Sequence, residues 1–264
     1  MIATPSQRLA CIAFATALAA LLGACALAPP TLAPERIAQV LAASDRSAAD
    51  RGNDLRRKPA QMLAFIGLRP GMIALDLSAG GGYTTELLAR AIGSGGQVYG
   101  QSPPPRQPAP ARTSAMALAE REARLRGAGV AAAPLLAVAQ RFEDPVPAAL
   151  AQSGLDLVTL MFNYHDLGHL GVDRAEMNRA VFRALKPGAF YVIADHSGRP
   201  GTGISESGTL HRIEEAFLRR EVEAAGFRLA GEGQFLRNPN DPRDQNTPDP
   251  AQPKDEFVLK FVKP

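Results

Sequence analysis

The chain has 264 residues, with 29 Lys and Arg against 26 Asp and Glu, a formal net charge of +3. That length suits one sizeable domain and is short for two ordinary ones, and 46% hydrophobic with 21% charged residues excludes wholesale disorder. No basic run forms a nucleic-acid footprint, two cysteines make neither a disulfide framework nor a four-cysteine zinc site, and 6% aromatics without tryptophan leave little for a stacking platform.

The amino terminus reads as an address. One positive side chain, Arg8, precedes the uncharged stretch Leu9–Ala28, which contains Leu22-Gly23-Ala24-Cys25. A short positive region, an apolar region and a small-residue cleavage site make a secretory signal. The last four residues resemble a bacterial lipobox, in which Cys25 becomes a lipidated first residue. An uncleaved anchor is the alternative, because 20 uncharged residues could just span a bilayer, but alanine is barely apolar enough. The expectation is a lipoprotein signal over 1–24 and a mature chain anchored through Cys25. With Cys11 removed and Cys25 acylated, no thiol remains for a disulfide. Ala26 after the cysteine resembles the pattern that goes with outer-membrane sorting, so the expected location is the periplasmic face of the cell envelope.

Residues 25–44 read as a Pro-rich tether and a helix over 35–43. The charge-dense 44–58 reads as a solvated connection, with Arg46, Arg51 and Arg56 on its face. Pro59 opens a helix to about Ile66, in the first-turn position proline tolerates. Strands are predicted at Met72–Leu77, Gln97–Gln101, Leu135–Ala139, Leu155–Phe162 and Ala189–Ala194. Helices are predicted between them at Tyr83–Ile92, Thr113–Arg126 and Arg174–Leu185, then at Glu206–Ala225. Phe227–Leu236 and Glu256–Val262 are late strands joined by the polar insertion 237–254. Short apolar strands alternating with helices imply an α/β fold. Its seven-stranded sheet is mostly parallel, with helices on both faces and an antiparallel C-terminal strand. Ligands of such sheets bind outside the carboxyl ends of the strands, near the reversal of strand order.

Asp76-Leu77-Ser78-Ala79-Gly80-Gly81-Gly82-Tyr83 lies at such an end and opens a helix. Its glycines permit positive φ and close approach of a ligand, and the helix start offers free N–H groups. A dinucleotide fingerprint needs a third glycine where Thr85 stands and an acid where the second strand ends in Gln101. A P-loop needs a lysine that is absent.

The segments DLSAGGGY, DLVTLMF and LKPGAFYVIAD, in that order, resemble class I S-adenosylmethionine-dependent methyltransferases. RKPAQMLAFIGLRPGM, AGGGYTTELLA, NYHD, DHSGRPG, LHRIEEA and DEFVLKFVKP resemble, more narrowly, an exported bacterial family called predicted methyltransferases. The resemblance covers about residues 45–264. It implies a Rossmann-like, doubly wound domain with S-adenosylmethionine as cofactor and a small-molecule acceptor. By position, Asp76 would orient the methionyl amino group, Ser78, Ala79, Gly80 and Gly82 would approach the methionine moiety, and Tyr83 would close over the cofactor or cap the helix. Gln101 would meet the ribose hydroxyls, Gln140 would lie near the adenine, and Asn163 would occupy the place of an amino-directed Asn/Asp-x-x-aromatic motif. Ser78 and Gln101 depart from the family's usual glycine and acid.

The four histidines are His165, His169, His196 and His211, and at least three of them fall on the ligand edge if this fold holds. His165 or His196 is a candidate general base, since imidazole titrates near neutrality. Asp166 or Asp195 would orient a ring, or Asp195 would act on the acceptor, and His211 joins the catalytic candidates. A divalent metal on His165, His169, His196 and an aspartate is a further possibility, without a spacing signature that assigns any ligand. Two other readings stay open: a non-catalytic binding lipoprotein on this fold, and a metal-assisted hydrolase using the His165/His196 edge.

Overall fold

The structure, a computed structural model, describes residues 30–105, 108, 110–248 and 251–264. The signal, Cys11 and Cys25 lie outside the described residues. Seven strands, β1 (Ile73–Leu77), β2 (Gln97–Ser102), β3 (Leu135–Ala139), β4 (Leu155–Met161), β5 (Leu185–His196), β6 (Arg228–Gly233) and β7 (Glu256–Val262), form one sheet in the order β3-β2-β1-β4-β5-β7-β6. The pairs from β3 through β5 are parallel, and β7 runs antiparallel to both β5 and β6. Successive strands step one way from β1 to β3, and β4 then begins on the other side of β1, so the crevice opens at the ends of β1 and β4.

Strand parity sorts the core. Ala74, Val98, Leu157 and Val192 face one layer, with helices α1 (Pro34–Ala42), α3 (Pro59–Ile66) and α4 (Tyr83–Ile92) over them. Leu75, Leu77, Val158, Leu160 and Ile193 face the other, under α7 (Arg174–Ala184) and α8 (Glu215–Ala224). Helix α1 buries Ile37 and Val40 in the first layer and so belongs to the domain's core. Helix α5 (Ser114–Gly127) packs on β3, and the single turn α6 (Asp166–His169) follows β4.

Two predicted elements differ. The segment read as a solvated connection holds helix α2 (Ala48–Arg57), capped by Ser47, whose hydroxyl accepts the Asp50 amide. It stops at Lys58, φ 43°, because the residue before Pro59 is excluded from the right-handed helical region. The helix predicted to begin at Glu206 begins at Glu215. A Cβ on Gly208 would come within 3.2 Å of His169, and the turns through 206–210 keep that approach open. Among the described residues no helix is long and apolar enough to cross a membrane.

Candidate active site

The crevice contains two cavities that share Ser78 and Gly80. The larger, about 700 Å³, lies beyond β2 and β3 and is walled by Gly100, Ser102, Ala139, Arg141, Phe142, Glu143 and the prolines 103–105. The smaller, about 340 Å³, has Asp76, Ser78, Ala79, Gly80, Tyr83, Phe162 and Asn163 on the sheet side. Asp50, Asn53 and Arg57 of α2 and Arg121 of α5 close it from the other side.

The loop between the cavities is shaped by left-handed backbone. Ser78 has φ 55°, close to the 54° of Gly80, so it occupies a conformation that glycine adopts freely. Its amide donates to Gln101 Oε1 at 3.2 Å. Gly82, φ 79°, is required twice over, because a Cβ there would sit 2.7 Å from Leu118 and 2.8 Å from Arg121. Gly82 does not reach the cavity; it caps α4.

Asp76 shares strand parity with Ala74 and therefore faces α4. Thr85 and Thr159 each donate a hydroxyl hydrogen bond to it at 2.7 Å. Burial pushes its pKa up to about 6, against the opposing pull of those two hydrogen bonds and of Arg57. Arg57 makes no hydrogen bond or ion pair among the described residues. Its guanidinium lies over the rings of Phe162, at 4.6 Å, and Tyr83, at 5.4 Å. Burial and the charge of Arg56 lower its pKa. The small cavity thus presents a buried carboxylate and a cation with no anionic partner.

An ion-pair network fixes the α2 wall. Arg121 donates to Asp50 at 2.7 and 2.9 Å and also pairs with Glu86. Arg46 is buried and meets Asp54 with two hydrogen bonds of 2.7 Å, and Asp54 accepts the Tyr83 hydroxyl at 2.7 Å. The arginines read as a solvated face therefore include a buried one. Tyr83 both lines the cavity and ties α4 to α2.

Two predicted cofactor contacts are turned elsewhere. Gln101 is fully buried. Its amide bridges the Ser78 N–H and the Gln140 carbonyl, at 3.2 and 2.7 Å, and so braces the loop from behind. Ser102, one residue on and of opposite parity, lines the larger cavity, and its Oγ is buried without a partner among the described residues. Gln140 is absent from the cavity walls. With its nitrogen turned to them, its amide donates to the carbonyls of Pro145 and Val146 at 3.2 Å each. Arg141 and Phe142 stand where the adenine contact was expected.

The four histidines form one contiguous group. Ring centroids lie 5.2 Å apart for His165–His196, 5.7 Å for His165–His211 and 5.6 Å for His169–His211. Asp195 is fully buried. Its Oδ1 is 2.5 Å from His165 Nδ1 and accepts the His196 amide, and its Oδ2 accepts the His165 amide at 2.7 Å. It orients a ring and has no face for an acceptor. Asp166 Oδ1 lies 3.0 Å from His165 Nε2 and 2.7 Å from His211 Nδ1, and its Oδ2 accepts from Asn163 at 2.9 Å.

Burial alone would lower the His165 pKa, but hydrogen bonds and charge from Asp166 and Asp195 raise it to about 9. His165 is thus an imidazolium near neutrality with both nitrogens engaged, the wrong state for a general base. Asp166 falls to about 2, as hydrogen bonds and charge from His165 and His211 outweigh its burial. Burial lowers His196, keeping it neutral; its Nδ1 is 3.0 Å from Glu256 and its ring packs on Phe162 at 5.7 Å. Phe162 sits at φ 61°, a strained position that sets its ring in the small cavity. His169 turns away to Ser207, 3.0 Å from its Oγ.

Sequence reasoning missed Asp50, Asn53, Arg57 and Arg121, because a charge-dense segment looks the same whether solvated or paired across 71 residues. Ser102 was recoverable from two-residue alternation counted from Val98.

The chain matches no family model, and no curated sequence relative matches it. Solved structures do. A SAM-dependent methyltransferase from Aquifex aeolicus superposes with TM-score 0.56 at 18% identity, covering 88% of this chain and 100% of that one. An arsenic(III) S-adenosylmethionine methyltransferase from Chlamydomonas reinhardtii gives 0.55 at 18%, covering 89% and 74%. The [4+2]-cyclase SpnF gives 0.54 at 17%, covering 91% and 88%. At these identities the likeness establishes the seven-stranded Rossmann-like fold, which hosts more than one chemistry.

Proposed function

We propose that the protein is an S-adenosylmethionine-dependent methyltransferase of a small molecule, working in the cell envelope and anchored through lipidated Cys25. The envelope placement rests on the sequence of residues 1–28 alone. The transferase reading is carried by one observation: two cavities that meet at the Ser78–Gly80 loop present groups that a nucleoside bearing a free amino-acid end would satisfy.

The fit is made of unpaired chemistry. Arg57 has no ion pair among the described residues and would take the carboxylate, forming charge-assisted hydrogen bonds. Asp76, poorly solvated and titrating near 6, would take the ammonium. The Ser102 hydroxyl, on the wall of the larger cavity, would meet a ribose hydroxyl, with Arg141 and Phe142 bounding the base. The similar structures from Aquifex and Chlamydomonas are methyltransferases that use this donor, which supports the reading.

Bound there, the donor supplies an electrophilic methyl group on a sulfonium. The protein's part is orientation and exclusion of water. Phe162 and Met161 give the small cavity an apolar wall beside the reacting end. Asn163 is pinned by Asp166, which fixes its carboxamide at the mouth of β4. His196, neutral and stacked on Phe162, is the histidine able to accept a proton from a hydroxyl or amine acceptor.

Thermal unfolding of the full chain with and without S-adenosylhomocysteine tests this reading. Ligand at a hundred times its dissociation constant stabilises by about 2.7 kcal/mol, which at this size is a rise of roughly 5–10 °C. An unchanged transition at millimolar ligand would overturn the assignment.

A further inference from the structure

We propose that His165, Asp166 and His211 form a binding site for one divalent transition-metal cation, independent of the methyl-transfer reading. One ligand atom from each residue lies within 4.8 Å of the others, close enough for a single ion to bridge. Asp166 Oδ1 is the pivot, 3.0 Å from His165 Nε2 and 2.7 Å from His211 Nδ1.

The supporting contacts are those a metal site requires. A ligating histidine usually gives its other ring nitrogen to a carboxylate, which fixes tautomer and orientation. Asp195 does this to His165 at Nδ1, so that a cation at Nε2 would take the place of the proton now shared with Asp166. The His165 backbone amide, bonded to the same carboxylate at 2.7 Å, fixes the residue as well as the ring. Asn163 occupies Oδ2 of Asp166, so Oδ1 alone turns to the cluster. His211 is held at φ 52°, a conformation that a non-glycine residue keeps only when its surroundings impose it.

Two imidazoles and one carboxylate suit zinc, iron, cobalt or nickel better than calcium or magnesium, which prefer all-oxygen shells. The His165 side chain is buried, while those of Asp166 and His211 are 24% and 39% exposed. The cation would therefore be gripped from below and keep open positions on the solvent side for water or a solute oxygen. The other two histidines are outside the set. His169 Nδ1 is 3.8 Å from Asp166 and bonded to Ser207, and His196 faces Glu256.

The test uses untagged full-length protein stripped with a chelator and then dialysed free of it. Zinc is titrated by calorimetry and cobalt by visible absorption, with S-adenosylhomocysteine binding measured on the same samples. One equivalent is expected to bind at micromolar concentration or tighter, with a cobalt spectrum of nitrogen and oxygen ligation. His211→Ala, at a half-exposed position, should weaken binding at least a hundredfold while the metal-free protein still unfolds in one cooperative transition. Asn163→Ala should weaken it about tenfold, and His169→Ala less than threefold. No uptake at millimolar metal would overturn the proposal. So would uptake unaffected by His211→Ala, which would place the ion elsewhere, Cys11 and Cys25 included. Neither result bears on S-adenosylhomocysteine binding, so the two readings fail separately.

Discussion

The buried carboxylate of Asp76 makes a prediction about stability that needs no ligand. Its pKa is raised from 3.8 to about 6 because burial disfavours the charged form more than Thr85, Thr159 and Arg57 favour it. The folded state therefore holds this proton more tightly than the unfolded chain does. The resulting stabilisation is fully present below pH 3.8 and is lost as pH rises through 6. At about 1.4 kcal/mol per pH unit, the loss is about 3 kcal/mol. Asp76→Asn keeps the shape and can hydrogen-bond both threonine hydroxyls through its oxygen and nitrogen, but it never ionises. The variant should match the wild type near pH 4 and exceed it by up to about 3 kcal/mol at pH 8, roughly 6–12 °C. It should also lose the stabilisation given by S-adenosylhomocysteine. Urea unfolding of the full chain at half-unit steps from pH 4 to 8 reads the difference directly, since every other titrating group is common to both proteins. An Asn variant that is equally or less stable at pH 8 would show that Asp76 is not held at an electrostatic cost, and the reasoning from its burial would be wrong.

Other substitutions follow from the same geometry. Arg57→Ala removes a cation that makes no ion pair among the described residues and lies over the Phe162 and Tyr83 rings, so metal-free, ligand-free stability should fall by no more than about 2 kcal/mol, while calorimetry should show S-adenosylhomocysteine binding weakened at least tenfold; a larger loss of stability with binding intact contradicts this. Gly82→Ala places a Cβ against Leu118 and Arg121 at positive φ, and strain plus overpacking should cost about 2–5 kcal/mol in denaturant unfolding. Arg212 is fully buried, bonded to Asp241 and to the carbonyls of Ser197 and Gln245. Arg212→Ala leaves that carboxylate without its partner and should cost about 3–5 kcal/mol, whereas a cost under 1 kcal/mol would mean water replaces the guanidinium.

The fold was largely legible because it is written in local pattern. Apolar runs such as Leu155–Met161 and amphipathic runs such as Arg174–Ala184 form as the periodicity requires, and the glycine turn after β1 marks the ligand edge. What escaped depends on distance in sequence. Asp50 and Arg121, or Arg56 and Glu256, meet across 71 and 200 positions, and no periodicity in a charged segment announces such a partner. The same limit applies to the histidines. Their convergence at the sheet edge was expected from strand order, but which ring Asp195 grips and which ring reaches Asp166 is set by φ at His211 and the short turn α6. Gln101 is placed differently for a smaller reason. Parity turns its side chain into the loop support and gives the cavity to Ser102.

Paired titrations of the full chain with S-adenosylhomocysteine and with 5′-methylthioadenosine, which lacks the amino-carboxylate end, test the donor site most directly. If Arg57 and Asp76 hold that end while the larger cavity holds the nucleoside, S-adenosylhomocysteine should bind at least tenfold more tightly, and Arg57→Ala should collapse the difference. Equal binding of the two ligands, or binding of neither at millimolar concentration, would contradict a donor site spanning the two cavities.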